Sequence, residues 1–343
     1  MAMDASFSFP SDHVDDDDND DDDDHHHHHL ELSSRQKTFT VFVHWLRSRR
    51  RLKILGRERR ARACQRIAAG SAHSLVLTTK TLQSNASSDG TMLAAFGYDG
   101  FGQLGLTRRG SLVAVAAGAH HSLALTSDGT LQACGDNGHG QATPPESEQA
   151  YTAIAAGAFH SLALQEDGSV ACWGSNLYGK APPEGIRGEF VSVAAAYNHS
   201  MALHVNGDVV CWGRNDFGQA PPEGVSGDFV AIAVGTRHSL ALRSDGSIAC
   251  WGDNADGQAP PEGVVGDFVA IAAGHYHSLA IRRDGNVVCF GANDRRQAPP
   301  DGVAGAFVAI AAGSTHSLAL GSDGTTVMCW GENDYGQAPA ASI

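Results

Sequence analysis

A histidine followed directly by a serine can do nucleophilic chemistry, and this chain carries the pair seven times: His73-Ser74, His121-Ser122, His160-Ser161, His199-Ser200, His238-Ser239, His277-Ser278 and His316-Ser317. A serine hydrolase needs one hydroxyl activated by a histidine that a third group orients. A zinc site needs four ligands converging at about 2.0–2.3 Å on one ion. The spacing argues against both. The pairs recur at 39 residues five times and at 48 once, between the first and second copies, and a residue that recurs with the period belongs to the repeat unit. Neighbouring residues on a strand point to opposite faces, so a histidine and its own serine cannot bond each other. Seven equivalent positions spread along an array cannot meet at one tetrahedral ion. The expectation is therefore structural: His73, His121, His160, His199, His238, His277 and His316 each bond backbone groups at a turn of their own unit. No catalytic residue, metal ligand or cofactor is expected, and the chain is read as a non-enzyme.

Aligned on the pair, the unit reads approximately "GDFVAIAAGxxHSLALxxDGxVxCWGxNxxGQAPPEGV". Glycines divide it into three apolar segments. The first is rich in Val, Ile and Ala; the second, "HSLAL", runs into an Asp-Gly turn; the third, "VxCWG", alternates. Two short strands joined through Asp-Gly form a hairpin, because glycine accepts the positive φ of a tight turn. A small sheet of three or four strands cannot bury both faces alone, and repetition around an axis solves this by packing each sheet on its neighbours. The predicted fold is all-β: a seven-bladed β-propeller of short antiparallel sheets over residues 63–343, closed by contacts between its end strands, and preceded by a disordered charged tail.

The tail divides by charge. Residues 1–34 hold 12 acidic side chains and no Lys or Arg, largely in the run Asp15–Asp24, followed by His25–His29. Such composition cannot bury a core, and the five histidines offer at most weak chelation. Residues 35–62 form a basic segment whose densest part, Arg47–Arg62, has the make-up of a nuclear-import or anion-binding patch. The repeats themselves carry 12 basic and 25 acidic residues, counted from residue 67 on, a net charge of −13. Phosphate recognition rests on Lys and Arg, so nucleic acid is an expected partner only through residues 47–62. No run approaches the roughly 18 apolar residues of a membrane span. The start of the chain lacks the basic and apolar blocks of a secretory leader, and seven cysteines without such a leader suggest a reducing compartment, cytoplasmic or nuclear. Five of them, Cys172, Cys211, Cys250, Cys289 and Cys329, share one repeat position and are read as small strand residues.

The elements "AAGxxHSLAL", "DG" and "WGxNxxGQ", running from about Ile67 to Gln337, resemble the regulator of chromosome condensation repeat family. The short unit with "GQAPPEGVxGD" is similar to that of a secreted bacterial beta-lactamase inhibitor with the same propeller. The resemblance implies seven blades and a protein-binding role. Members that exchange nucleotide on the small GTPase Ran use an inserted wedge; here the one insertion is "TTKTLQSNASS", Thr78–Ser88. The Gly-Trp-Arg-His-Thr motif of the plant ultraviolet-B photoreceptor is absent, and Trp173, Trp212, Trp251 and Trp330 are the repeat's own strand residue. No ubiquitin-ligase domain follows, and the lack of a leader disfavours the secreted-inhibitor role.

Binding residues are expected where the unit varies. In an antiparallel meander the loop before the histidine and the loop after the third strand emerge on one side, and the Asp-Gly turn on the other. The variable positions of that side supply Phe101, His139, Phe159, Tyr178, Tyr197, Phe217, Arg237, Tyr276 and Tyr335. Aromatic residues and arginine often carry protein-binding energy. The leading expectation is a non-enzymatic interaction scaffold whose partner is a protein held on this loop face; the alternative is a nucleotide-exchange regulator of a Ran-like small GTPase.

Overall fold

A computed structural model describes residues 66–79, 91–107 and 111–339. The expected tail regions 1–34 and 35–62, the first residues of the expected propeller, and most of the Thr78–Ser88 insertion lie outside the described residues. What is described is seven three-stranded antiparallel sheets, each built from strands consecutive in sequence. Blade 5 is representative, with strands Phe229–Val234, His238–Arg243 and Ile248–Gly252. Blade 1 comprises Ile67–Ala69, His73–Thr79 and Thr91–Gly97, and blade 7 comprises Phe307–Ala312, His316–Gly321 and Val327–Gly331. The first strand of every blade is innermost, since the ends of all seven line an axial cavity of about 80 Å³.

The hairpin turn follows from its residues. Gly246 sits at φ 92°, a conformation open to glycine, while the Asp245 carboxylate accepts the Ser247 N–H at 2.8 Å. In blades 3 to 6 the segment reading EGI, EGV, EGV and DGV adds a single antiparallel bridge to the third strand, as between Val209 and Val225. That bridge is a rudimentary fourth strand.

The middle strand is buried on both faces, so its alternation is one of size and not of polarity. Leu240 and Leu242 of blade 5 pack with Ile248 and Cys250 against Phe268, Ile271 and Ala280 of blade 6. Ala241, between the two leucines, faces blade 4 instead, against Leu203 and Val209. Each blade thus presents large side chains to the next and a small one to the last. A fully buried leucine contributes about 1.5–3 kcal/mol. The same wedge closes the ring: Leu318, Leu320 and Val327 of blade 7 pack on Ile67 and Val76 of blade 1.

Contrary to the expectation from sequence, the repeated histidines do not bond their own blade's turns; they bond the next blade. Each is fully buried, and its Nε2 reaches the serine of the following blade: His73 to Ser122 at 2.9 Å, His160 to Ser200 at 2.8 Å, His238 to Ser278 at 2.9 Å, and, across the closure, His316 to Ser74 at 2.8 Å. Each serine hydroxyl donates to a carbonyl of the preceding blade, as Ser278 does to Gln258 O at 2.9 Å. A hydroxyl has one proton. The serine must therefore accept from the histidine, which places a proton on Nε2. In four blades the tryptophan adds a second clamp on that carbonyl, with Trp251 Nε1 donating to Gln219 O at 3.0 Å beside Ser239. Burial pushes the imidazoles far down: His73 and His121 to about 4, His199, His238, His277 and His316 to about 3, and His160 well below 6.5.

Glycine before this pair is required by close approach. A Cβ on Gly274 would stand 2.2 Å from His277 Cε1 and 2.4 Å from Gly313 O of the next blade.

Candidate functional site

The motif "WGxNxxGQ" builds the loop that carries the variable residues. In blade 4 the buried Gln219 accepts the Phe217 N–H through Oε1 at 2.9 Å, and Asn215 Oδ1 accepts the Ala220 N–H at 2.8 Å. The same glutamine contact holds Phe101, His139, Asp256, Arg295 and Tyr335. Constant polar residues inside thus fix the backbone from which variable side chains project. Backbone bonds tie this loop to the one before the histidine, as in Arg214 N to Asn198 O at 2.9 Å. The two variable loops share one face, as the meander predicts.

On that face the nine sequence-derived residues fall into neighbouring sets. His139, Phe159 and Tyr197 form a chain of edge-on contacts with centroids 5.4 and 5.6 Å apart, extended by His275 to Tyr276. Tyr335 meets Tyr98 at 5.2 Å, and Tyr98 meets Phe101 at 6.2 Å. The Arg237 guanidinium lies 4.6 Å from the centre of the Phe217 ring, and Arg214 lies 5.2 Å from that of Tyr178. Most of these contacts bridge adjacent blades. The rings nevertheless stay accessible: Phe101 50%, Tyr178 50%, Tyr197 38%, Phe217 40%, Tyr276 36% and Tyr335 57% exposed. In blade 7 the small Ser314 turns its hydroxyl to His275 Nε2 at 2.9 Å, leaving Tyr335 as that blade's large exposed group on this face.

Sequence reasoning passed over Tyr98, Arg214 and Lys180. Lys180 stands where the other six repeats have the loop-holding glutamine, a departure visible in "YGKAPP". It is 1% exposed. Its Nζ donates to Tyr197 O at 3.3 Å and Asn198 Oδ1 at 3.2 Å, and lies 5.7 Å from the Phe159 ring centre. Burial lowers its pKa. Two further exceptions are backbone ones: Tyr178 (φ 67°) and Arg296 (φ 62°) are the non-glycine residues with positive φ among those described.

Among the described residues no helix is long and apolar enough to cross a membrane. A comparison with curated protein sequences returns no match. Solved structures of similar shape include the CRINKLY WD40 ectodomain of the Arabidopsis thaliana receptor kinase ACR4, 20% identical, covering 81% of this chain and 98% of that one, with a TM-score of 0.62. The entire ectodomain of the Physcomitrella patens receptor kinase CR4 is 23% identical over 78% of this chain and 73% of that one, TM-score 0.62. Prp20p from Saccharomyces cerevisiae, in a structure described with its binding properties to Gsp1p and histones, is 20% identical over 81% and 84%, TM-score 0.59. At such identities the likeness is one of fold. The family model for the regulator of chromosome condensation (RCC1) repeat matches residues 112–141, 151–180, 190–219, 229–258, 268–297 and 307–337. Blade 1 lies outside those matches yet repeats their His-Ser geometry. With over half of its residues in these six matches and a seventh blade closing the ring, the chain belongs to the regulator of chromosome condensation (RCC1) repeat family.

Proposed function

We propose that the protein is a non-enzymatic interaction scaffold that binds a protein partner through the loop face bearing Phe101, His139, Phe159, Tyr178, Tyr197, Phe217, Arg237, Tyr276 and Tyr335. The observation that carries the reading is that six of these aromatic rings rest against neighbouring side chains and still remain 36–57% exposed. Rings already fixed lose little rotamer freedom on binding, which cuts a cost of about 0.5–1.5 kcal/mol per immobilised side chain. Aromatic and arginine side chains arranged in this way fit an interface centre. The acidic repeat region favours a protein over a nucleic acid as the ligand. Six buried or half-buried thiols without disulfides are compatible with a cytoplasmic or nuclear location, and Arg47–Arg62 supports the nuclear one.

The exchange-factor alternative draws on the shared fold with Prp20p. A nucleotide-release assay on a Ran-like GTPase separates the two, since acceleration by this chain would reverse their order. The interaction reading is tested by replacing Tyr178, Phe217, Tyr276 and Tyr335 together with alanine in the full chain. Binding of the partner isolated with the wild type is expected to be lost while the circular dichroism spectrum stays the same. Retained binding would refute the reading.

A further inference from the structure

Two exposed rings of the loop face have an arginine of the next blade lying over them, and these pairs show what another sector lacks. Arg214 of blade 4 stands 5.2 Å from the ring centre of Tyr178 of blade 3, and its Nε donates to the Asp216 carboxylate on its own loop. Arg237 of blade 5 stands 4.6 Å from the ring centre of Phe217 of blade 4. A guanidinium is planar and carries five donors, so it covers a ring face while its N–H groups reach a carboxylate beside the ring.

The loops align residue for residue: "RNDFGQ" of blade 4 with "ENDYGQ" of blade 7 and "YDGFGQ" of blade 1. Around blade 1 both arginines give way to rings. Tyr98 holds the place of Arg214 and meets Tyr335 of blade 7 at 5.2 Å, and His120 of blade 2 holds the place of Arg237 and meets Phe101 at 4.8 Å. The carboxylates remain. Asp334 occupies the place of Asp216, and Asp99 lies between Tyr98 and Phe101 in the chain. Both are exposed, and among the described residues neither is in an ion pair, since Arg295 of blade 6 pairs with Glu332 instead. Phe101 is 50% and Tyr335 57% exposed, and Tyr98 is inclined by 67° to each, so neither is stacked flat on Tyr98 and both can be reached from solvent. Rings and carboxylates are thus kept where the cation that completes them in blades 3 to 5 is missing. We propose that Tyr98, Phe101 and Tyr335 with Asp99 and Asp334 form a subsite of the loop face that takes one arginine side chain of a protein partner. The acidic repeat region draws such a side chain towards the face. This inference rests on the loop face being the binding surface.

The test selects a displayed library of random linear peptides on the full-length chain and measures the enriched peptides on two variants of equal charge. One is D99N with D334N, in which asparagine keeps the acceptor that Asp99 Oδ1 offers to the Leu104 N–H. The other is E262Q with D301N, both exposed and outside the loop face. Enriched peptides are expected to share an arginine. Changing it to glutamine should weaken binding at least about tenfold on the wild type and on E262Q with D301N, and have little effect on D99N with D334N, because a charge pair lost on either side is lost once. Peptides that bind the face, shown by their loss on Phe217→Ala with Tyr335→Ala, but have no essential arginine would overturn this inference and leave the proposed function standing. An arginine effect that persists on D99N with D334N, or that falls equally on E262Q with D301N, would overturn it in the same way. Peptides indifferent to the face substitutions, or no enrichment at all, would count against both.

Discussion

Lowering the pH from about 7.5 to about 5.5 should remove most of the folding stability of this propeller. Seven imidazoles, one per blade interface, are buried in the neutral form with Nε2 donating to a serine. Burial depresses their pKa from 6.5 to about 4 or about 3 where a value is resolved. For a histidine depressed in the folded state, the unfolded chain takes up protons first as pH falls. The stabilisation is therefore complete above 6.5 and drains away below it. At about pH 5.5 each histidine favours the unfolded chain by about 1.3 kcal/mol relative to pH 7.5, and seven together by about 9 kcal/mol. Domain stabilities are about 5–15 kcal/mol, so the loss is of the same size as the whole. The hydrogen-bonded aspartates of the hairpin turns, such as Asp245 and Asp323, are held below 3.8 and act only in a more acid range. Urea unfolding followed by circular dichroism at about pH 7.5, 6.5 and 5.5 reads the effect directly, with the slope giving the protons taken up, about six at pH 5.5. A midpoint that stays constant over this range, or resonances assigned to these seven histidines that titrate near 6.5 in the folded protein, would refute the neutral-imidazole ring.

Two substitutions probe the backbone. Gly274→Ala places a Cβ against His277 and the Gly313 carbonyl, neither free to retreat, and should cost about 3 kcal/mol or more by thermal unfolding. Arg296→Gly should stabilise by about 0.5–1 kcal/mol, since Arg296 holds φ 62° where Gly102, Gly140, Gly179, Gly218, Gly257 and Gly336 occupy the same loop position.

The architecture was legible because the chain states it seven times. Asp-Gly marks the hairpin, and the meander's parity puts Phe217 with Arg237 and Phe159 with His139 on one face. The histidine bond was misplaced for a physical reason. Its partner, as Ser278 is for His238, lies 40 residues away in the next blade. That pairing depends on how two sheets stack, which the pattern within one unit does not encode. The aromatic face was visible as a set of variable residues, but not the packing that fixes it: Arg214 over Tyr178 depends on the relative placement of two loops. Lys180 was visible as a departure from "GQ", but its burial and its bonds to Tyr197 O and Asn198 Oδ1 depend on the packing of the neighbouring blade.

Site-specific photo-cross-linking in the full chain tests the central claim most directly. A benzoylphenylalanine replaces Phe217 or Tyr335 on the loop face, and Thr325, exposed at a hairpin turn on the opposite side, serves as the reference position. The account predicts adducts to one partner protein from Phe217 and Tyr335 and none from Thr325. Adducts of that partner from Thr325, with none from the loop face, would contradict it.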